Sequence, residues 1–160
     1  MANTDHLFLG NDYDAEVVTP INFVETLFHD LSPFSAHEIT VEGIICKTVE
    51  HGYQGLRIKP GPERDDVLAT RSPMDAWRAG QKYKNQPELV VENYDKYVHM
   101  EKLCRAKLEQ HPDVSAILLI TGNRELLKVY DTDYYWGTGA DGSGENMLGK
   151  LWMQLRAEIM

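Results

Sequence analysis

Five of the twelve glycines in this 160-residue chain fall between positions 137 and 149. They lie in the segment Asp131-Thr-Asp-Tyr-Tyr-Trp-Gly-Thr-Gly-Ala-Asp-Gly-Ser-Gly-Glu-Asn-Met-Leu-Gly149. Ordering so glycine-rich a loop is entropically costly, so such a segment usually has a purpose. It also divides the C-terminal part of the chain. Leu126 to Tyr130 before it reads as a strand, and Leu148 to Ile159 after it reads as an amphipathic helix.

Three short patterns overlap this loop, and each fails on its chemistry. Gly137, Gly139 and Gly142 spell G-x-G-x-x-G, but more glycine and polar residues follow instead of a helix. Gly144 to Lys150 spells G-x-x-x-x-G-K, with Leu151 where a magnesium-binding Ser or Thr belongs. Asp131, Asp133, Asp141 and Glu145 break the EF-hand order, because Tyr135 and Trp136 occupy a ligand and the glycine position. What remains is an acid three residues before an indole, Asp133 and Trp136. A Trp face stacks on a nucleobase, and a nearby carboxylate activates water or steadies positive charge on a sugar. The structural alternative has Trp136 filling the core and Asp133 capping a turn, and the sequence leaves both open.

The rest of the chain reads as α+β, mainly helical, with a small sheet. Residues 1–16 are polar and aperiodic, as in a loosely attached arm, and 17–160 read as one domain. Val17 to Phe23 reads as a strand interrupted at Pro20, and Glu38 to Thr48 as a hairpin turning at Glu42-Gly43. Thr48 caps a helix running through Arg57 and ended by Lys59-Pro60-Gly61-Pro62. Pro62 opens a short helix, and Ser72-Pro73-Met74-Asp75 starts another. A long helix is expected over Glu92 to Gln110, with Tyr94, Tyr97, Val98, Leu103, Cys104 and Leu108 on one stripe. A further helix runs from His111-Pro112-Asp113 to Gly122.

Charge narrows the function. Acidic residues outnumber basic ones 25 to 16, a net charge of −9, which argues against a nonspecific nucleic-acid binder. The longest apolar run, Ala116 to Ile120, has five residues, so no membrane partner is expected. The start of the chain shows no secretory signal, and two cysteines, Cys46 and Cys104, suit free thiols and a cytoplasmic setting. No metal or organic cofactor is demanded.

A second constellation is Glu50, Tyr53, Gln54 and Arg57, at i, i+3, i+4 and i+7 on one helical face. A carboxylate, a phenol, an amide and a guanidinium on one stripe suit a polar ligand, and equally suit a solvated face with a weak end-to-end ion pair. Phe34, Cys46 and Leu56 read as core.

Taken in order, several blocks resemble the NADAR (YbiA-like) family. They are Ile21-Asn22-Phe23, Leu31-Ser32-Pro33-Phe34, and Thr48-Val49-Glu50-His51-Gly52-Tyr53-Gln54. Ala106-Lys107-Leu108, Leu118-Leu119-x-Thr121-Gly122 and Asp133-x-x-Trp136-Gly137-x-Gly139 follow. Asn146-x-Leu148-Gly149 with Met153-x-Leu155-Arg156 completes the series, so the likeness spans about 21–158. It implies a compact YbiA-like domain and N-glycosidase chemistry on a nucleotide-like small molecule. The substrate would be a riboflavin-pathway ribosylamino-pyrimidine phosphate or ADP-ribosylated guanine in nucleic acid. By position, Glu50 and Asp133 would be the two acids and Trp136 the base- or ribose-contacting aromatic. Phe34, Tyr53, Gln54, Gly137, Asn146 and Gly149 would line or shape the pocket. Arg57 stands where the family has a lysine thought to engage the ribose, Met147 where it has an arginine, and Pro33 where it has an asparagine. Arginine forms no Schiff base but clamps phosphate or pairs with Glu50. The rival expectation is therefore a module that binds ADP-ribose or NAD without turnover. In either case Glu50, Asp133 and Trp136 are expected to meet at one sugar-sized hollow.

Overall fold

A computed structural model describes residues 19–24 and 26–160. The expected N-terminal arm and the start of the first strand lie outside the described residues. In chain order the elements are β1 (Ile21–Asn22), β2 (Ile39–Val41), β3 (Ile44–Cys46), α1 (Val49–Gly55), α2 (Pro62–Leu68) and α3 (Pro73–Gln81). They continue with α4 (Lys96–Gln110), α5 (Pro112–Ile120), β4 (Leu126–Leu127) and α6 (Met147–Ile159). Short 3-10 turns lie at His29–Leu31 and Pro87–Leu89. The α+β class and the dominance of helix are as expected. Among the described residues, no helix is long and apolar enough to cross a membrane. The chain divides into two units, one of residues 33–111 and one formed by the residues up to 32 together with 112–160.

In the 33–111 unit, β2 and β3 pair antiparallel with Ile39 opposite Cys46 and Val41 opposite Ile44. Glu42 (φ 53°) and Gly43 (φ 79°) make the two-residue turn, whose paired positive φ values match the twist of the strands. Ile39, Val41 and Cys46 point inward, while Ile45 is exposed. The Gln110 side chain closes one edge of the hairpin. Its Oε1 accepts from Thr40 N at 2.8 Å and its Nε2 donates to Thr40 O at 2.9 Å. Thr48 caps α1 through its hydroxyl, which accepts from His51 N at 3.2 Å. Ser72 caps α3 in the same way, from Asp75 N at 3.0 Å. Ile58, Val67, Ala76 and Ala79 form a small core between α2 and α3.

Two expectations need correction here. The long helix starts at Lys96, not Glu92, because Asp95 accepts from both Tyr97 N (2.9 Å) and Val98 N (3.0 Å) and so serves as its cap. Its buried stripe is Met100, Leu103, Cys104 and Lys107, and Val98 faces solvent. A buried lysine was not foreseen; Lys107 Nζ donates to Ser35 Oγ at 2.5 Å. Helix α1 also ends at Gly55, before Arg57. Leu56 closes it by donating its N–H to Gly52 O at 2.9 Å, and the chain then extends until Ile58 bridges Val90.

In the other unit, β1 and β4 pair parallel, Ile21 beside Leu126 and Asn22 beside Leu127. Leu126 to Tyr130 was expected as one strand, but only its first two residues are strand, because side-chain and loop partners take over at Lys128. Ile21, Phe23, Leu118, Leu126, Leu148, Leu151 and Trp152 are buried. The Trp152 indole donates to Leu31 O at 2.8 Å, so the largest buried ring leaves no polar atom unsatisfied. Buried Arg156 donates through Nη1 to Thr121 Oγ1 (2.8 Å) and Arg124 O (2.9 Å), tying α6 to the end of α5.

Candidate active site

The candidate residues fall into two groups, one in each unit. In the 33–111 unit, α1 carries Glu50, which is 6% exposed. Its N–H donates to Pro33 O at 3.0 Å, which joins α1 to the segment bearing half-buried Phe34. One helical turn on, Gln54 Nε2 donates to Glu50 Oε1 at 2.8 Å. Gln54 Oε1 is buried without a hydrogen-bond partner and turns toward α3. Gly80 stands opposite it, and a Cβ there would lie 2.2 Å from that oxygen unless the amide turned away.

Gly80 has a second role. Its carbonyl accepts from Arg57 Nη2 at 3.2 Å, so α3 orients the amide of Gln54 through a bare Cα and the guanidinium of Arg57 through its backbone. Arg57 therefore joins this group from beyond the helix rather than from the i+7 position.

The sequence reading passed over His99. Tyr53 stacks on its ring with centroids 5.6 Å apart and planes 23° apart, and Tyr94 meets it edge-on at 5.5 Å. Burial pushes the His99 imidazole below its ordinary value, against the pull of the Tyr53 and Gly52 carbonyls. The ring is therefore neutral near pH 7, and its Nε2–H donates to Tyr53 O at 3.2 Å. Burial first, and then the neighbouring Tyr53 phenol, push Tyr94 well above the usual phenol range. Glu50, Tyr53 and Gln54 are thus presented by α1, Arg57 by the segment just after it, Tyr94 by the segment before α4 and His99 by the first turn of α4. A signal for His99 did exist in its i+5 spacing from Tyr94, but that spacing has no meaning until the helix start is known.

In the second unit, Asp133 lies in the glycine-rich loop with its carboxylate fully engaged. Oδ1 accepts from Trp136 N at 2.8 Å and Tyr135 N at 3.3 Å, and Oδ2 accepts from Lys128 Nζ at 2.6 Å. Burial would raise this acid; the Lys128 ammonium and the two backbone N–H groups outweigh it and hold the carboxyl below the ordinary range. Trp136 is 9% exposed, with the Tyr135 ring edge-on at 4.7 Å. The acid thus caps a turn and the indole is largely inside, as the structural alternative expected.

Asn146 stands in the left-handed region (φ 51°) and ties the loop to β4, accepting from Lys128 N and donating to Leu126 O, each at 2.9 Å. Gly149 permits this approach, as a Cβ there would lie 2.0 Å from Leu126 O. At Gly137 a Cβ would press on Lys128 O at 2.8 Å and Asp133 O at 2.9 Å. Asn146, Gly137 and Gly149 thus shape the loop through backbone contacts.

Comparison with known proteins agrees with this arrangement of motifs. The family model of the NADAR domain matches residues 21–160. N-glycosidase YbiA of Shigella boydii is 37% identical over 145 residues, covering 88% of this chain and 89% of that protein. The maize riboflavin biosynthesis protein PYRR, chloroplastic, is 33% identical over 88% of this chain, which spans 25% of that longer protein. The NMR structure of Escherichia coli YbiA superposes with a TM-score of 0.76 at 35% identity, covering 89% of this chain and 85% of that one. With its ordered motifs, its fold and these relatives in agreement, this chain belongs to the NADAR domain family.

Proposed function

We propose that the chain is an N-glycosidase that hydrolyses the C–N bond between a base and a ribose in a nucleotide-like substrate. The observation that carries this reading is Glu50, a carboxylate 6% exposed on α1 and held by the Gln54 amide at 2.8 Å. Cleavage of such a bond passes through an oxocarbenium-like sugar. The C1′–N bond breaks, the base leaves with a proton, and water adds its oxygen to C1′. Glu50 steadies the cationic sugar or takes the proton of the water. Asp133 supplies the second carboxylate, Trp136 contacts the base or ribose, and Arg57 binds phosphate. The names N-glycosidase and riboflavin biosynthesis protein among the relatives support an N-glycosidic substrate of the riboflavin pathway, here taken as a ribosylamino-pyrimidine 5′-phosphate.

A second reading is favoured by Arg57, which cannot form a Schiff base and is tethered to Gly80 O. Under it the chain binds ADP-ribose or a related nucleotide without turnover. One pair of assays separates the two. The protein is incubated with a ribosylamino-pyrimidine 5′-phosphate while free ribose 5-phosphate is measured, and ADP-ribose is titrated by calorimetry. Catalytic release of the sugar phosphate, abolished in Glu50→Gln, supports the glycosidase. Tight ADP-ribose binding with no release supports the module. Release unchanged in Glu50→Gln removes Glu50 from the mechanism.

A further inference from the structure

Lys128 was singled out by no motif, yet the unit around β4 is built to hold it. Its backbone is fixed on both sides: Asn146 Oδ1 accepts its N–H at 2.9 Å, and Thr138 N donates to its carbonyl at 2.9 Å. Gly137 leaves the space that carbonyl needs. Its side chain is 20% exposed, and its ammonium meets Asp133 Oδ2 at 2.6 Å with the Tyr130 ring centroid 5.5 Å away. Asp133 Oδ1 is meanwhile held by two loop N–H groups, and the ammonium holds the other oxygen.

We propose that Lys128 is a positioning residue that keeps Asp133 ionised and in one orientation, and that the glycine-rich loop takes its active form only while this ion pair is closed. The kinetic part of the proposal rests on the glycosidase reading above; the ion-pair part does not. A half-buried pair with fixed backbones on both partners loses little side-chain freedom on forming, unlike a pair between exposed flexible chains. Asp133 is then a fixed negative charge in the loop. Lys128 acts through it, and donates no proton.

The test compares wild type, Lys128→Met and Lys128→Arg. The Asp133 side-chain carboxyl is titrated by carbon-detected NMR, without substrate. Base release is followed against pH in parallel. In wild type the Asp133 midpoint lies below the ordinary carboxylate value. In Lys128→Met it moves up, kcat falls about 100-fold, as expected for a misplaced group, and the acid limb of the kcat profile moves up with it. Lys128→Arg restores both. A wild-type midpoint at or above the ordinary value overturns the proposal even if Lys128→Met fails to fold. A midpoint unmoved in folded Lys128→Met, or an unmoved acid limb in a protein that turns over, also overturns it. If wild type releases no base, the glycosidase reading fails, and the NMR titration still decides whether Lys128 governs Asp133.

Discussion

The two candidate acids, Glu50 and Asp133, are held by opposite means. Glu50 rests on a capped helix and receives a side-chain amide one turn away at 2.8 Å. Asp133 rests in a loop and receives an ammonium at 2.6 Å and two main-chain N–H groups. In the first case the scaffold positions the acid; in the second the acid positions the scaffold. A group of the first kind can be changed with little structural loss and a large chemical one, whereas changing a group of the second kind disturbs the structure along with the chemistry.

The largest expected effect is on the chemistry of Glu50→Gln. Base release falls about 1,000-fold, in the range a positioned acid or base supplies. The urea midpoint barely moves, because glutamine keeps an acceptor for Gln54. If Glu50→Gln unfolds more easily than Asp133→Asn, the comparison is wrong.

Next is Gly149→Ala. The new methyl meets the Leu126 carbonyl at 2.0 Å, a backbone atom that cannot swing aside. Denaturant titration is expected to show a loss of about 3 kcal/mol, at the upper end for overpacking. A loss under about 1 kcal/mol would mean that the α6 start and β4 are not locked together as described.

Gly80→Ala sharpens the first half of the comparison. Its methyl meets a side-chain oxygen, Gln54 Oε1, which can turn away. Stability drops by about 1–2 kcal/mol, and activity drops further because the amide leaves Glu50. Equal behaviour of kcat and stability across Gly80→Ala and Gln54→Ala would show the amide to be structural only.

Asp133→Asn tests the second half. It keeps an acceptor for the loop N–H groups and loses the ion pair, for about 1–2 kcal/mol in urea.

The smallest effect is on pH dependence. Burial, first, holds His51 and His99 below the ordinary imidazole value, so both bind fewer protons folded than unfolded. Their contribution is complete above about pH 6.5 and is lost as pH falls through that value toward the folded one. Asp133 is also lowered, and its contribution is complete above about pH 4 and lost only below that. Melting curves should therefore weaken in two steps. The first belongs to the histidines and is reduced in His51→Gln, and the second is reduced in Asp133→Asn. A single step near pH 4 would contradict the buried neutral histidines.

Local chemistry explains which parts were legible beforehand. The Glu42-Gly43 turn and the Thr48 and Ser72 caps each depend on groups within four residues, and each formed as read. Helix α1 was drawn too long because its end is set by Gly52 and by the Ile58–Val90 bridge, whose second strand lies far along the chain. The stripe on α4 was drawn around Val98 because periodicity ranks residues by polarity, and polarity does not place Lys107 inside. A specific acceptor, Ser35, helps to make that lysine's burial tolerable.

The sequence by itself determined the α+β class, the hairpin turn, the Thr48 and Ser72 caps and the family, since all of these are written in short-range spacing and ordered motifs. Only the tertiary structure decided that Asp133 pairs with Lys128, that Arg57 leans on Gly80, and that His99 lies between two tyrosines. These contacts depend on where a loop closes or two helices cross, and their energies come from burial and fixed geometry.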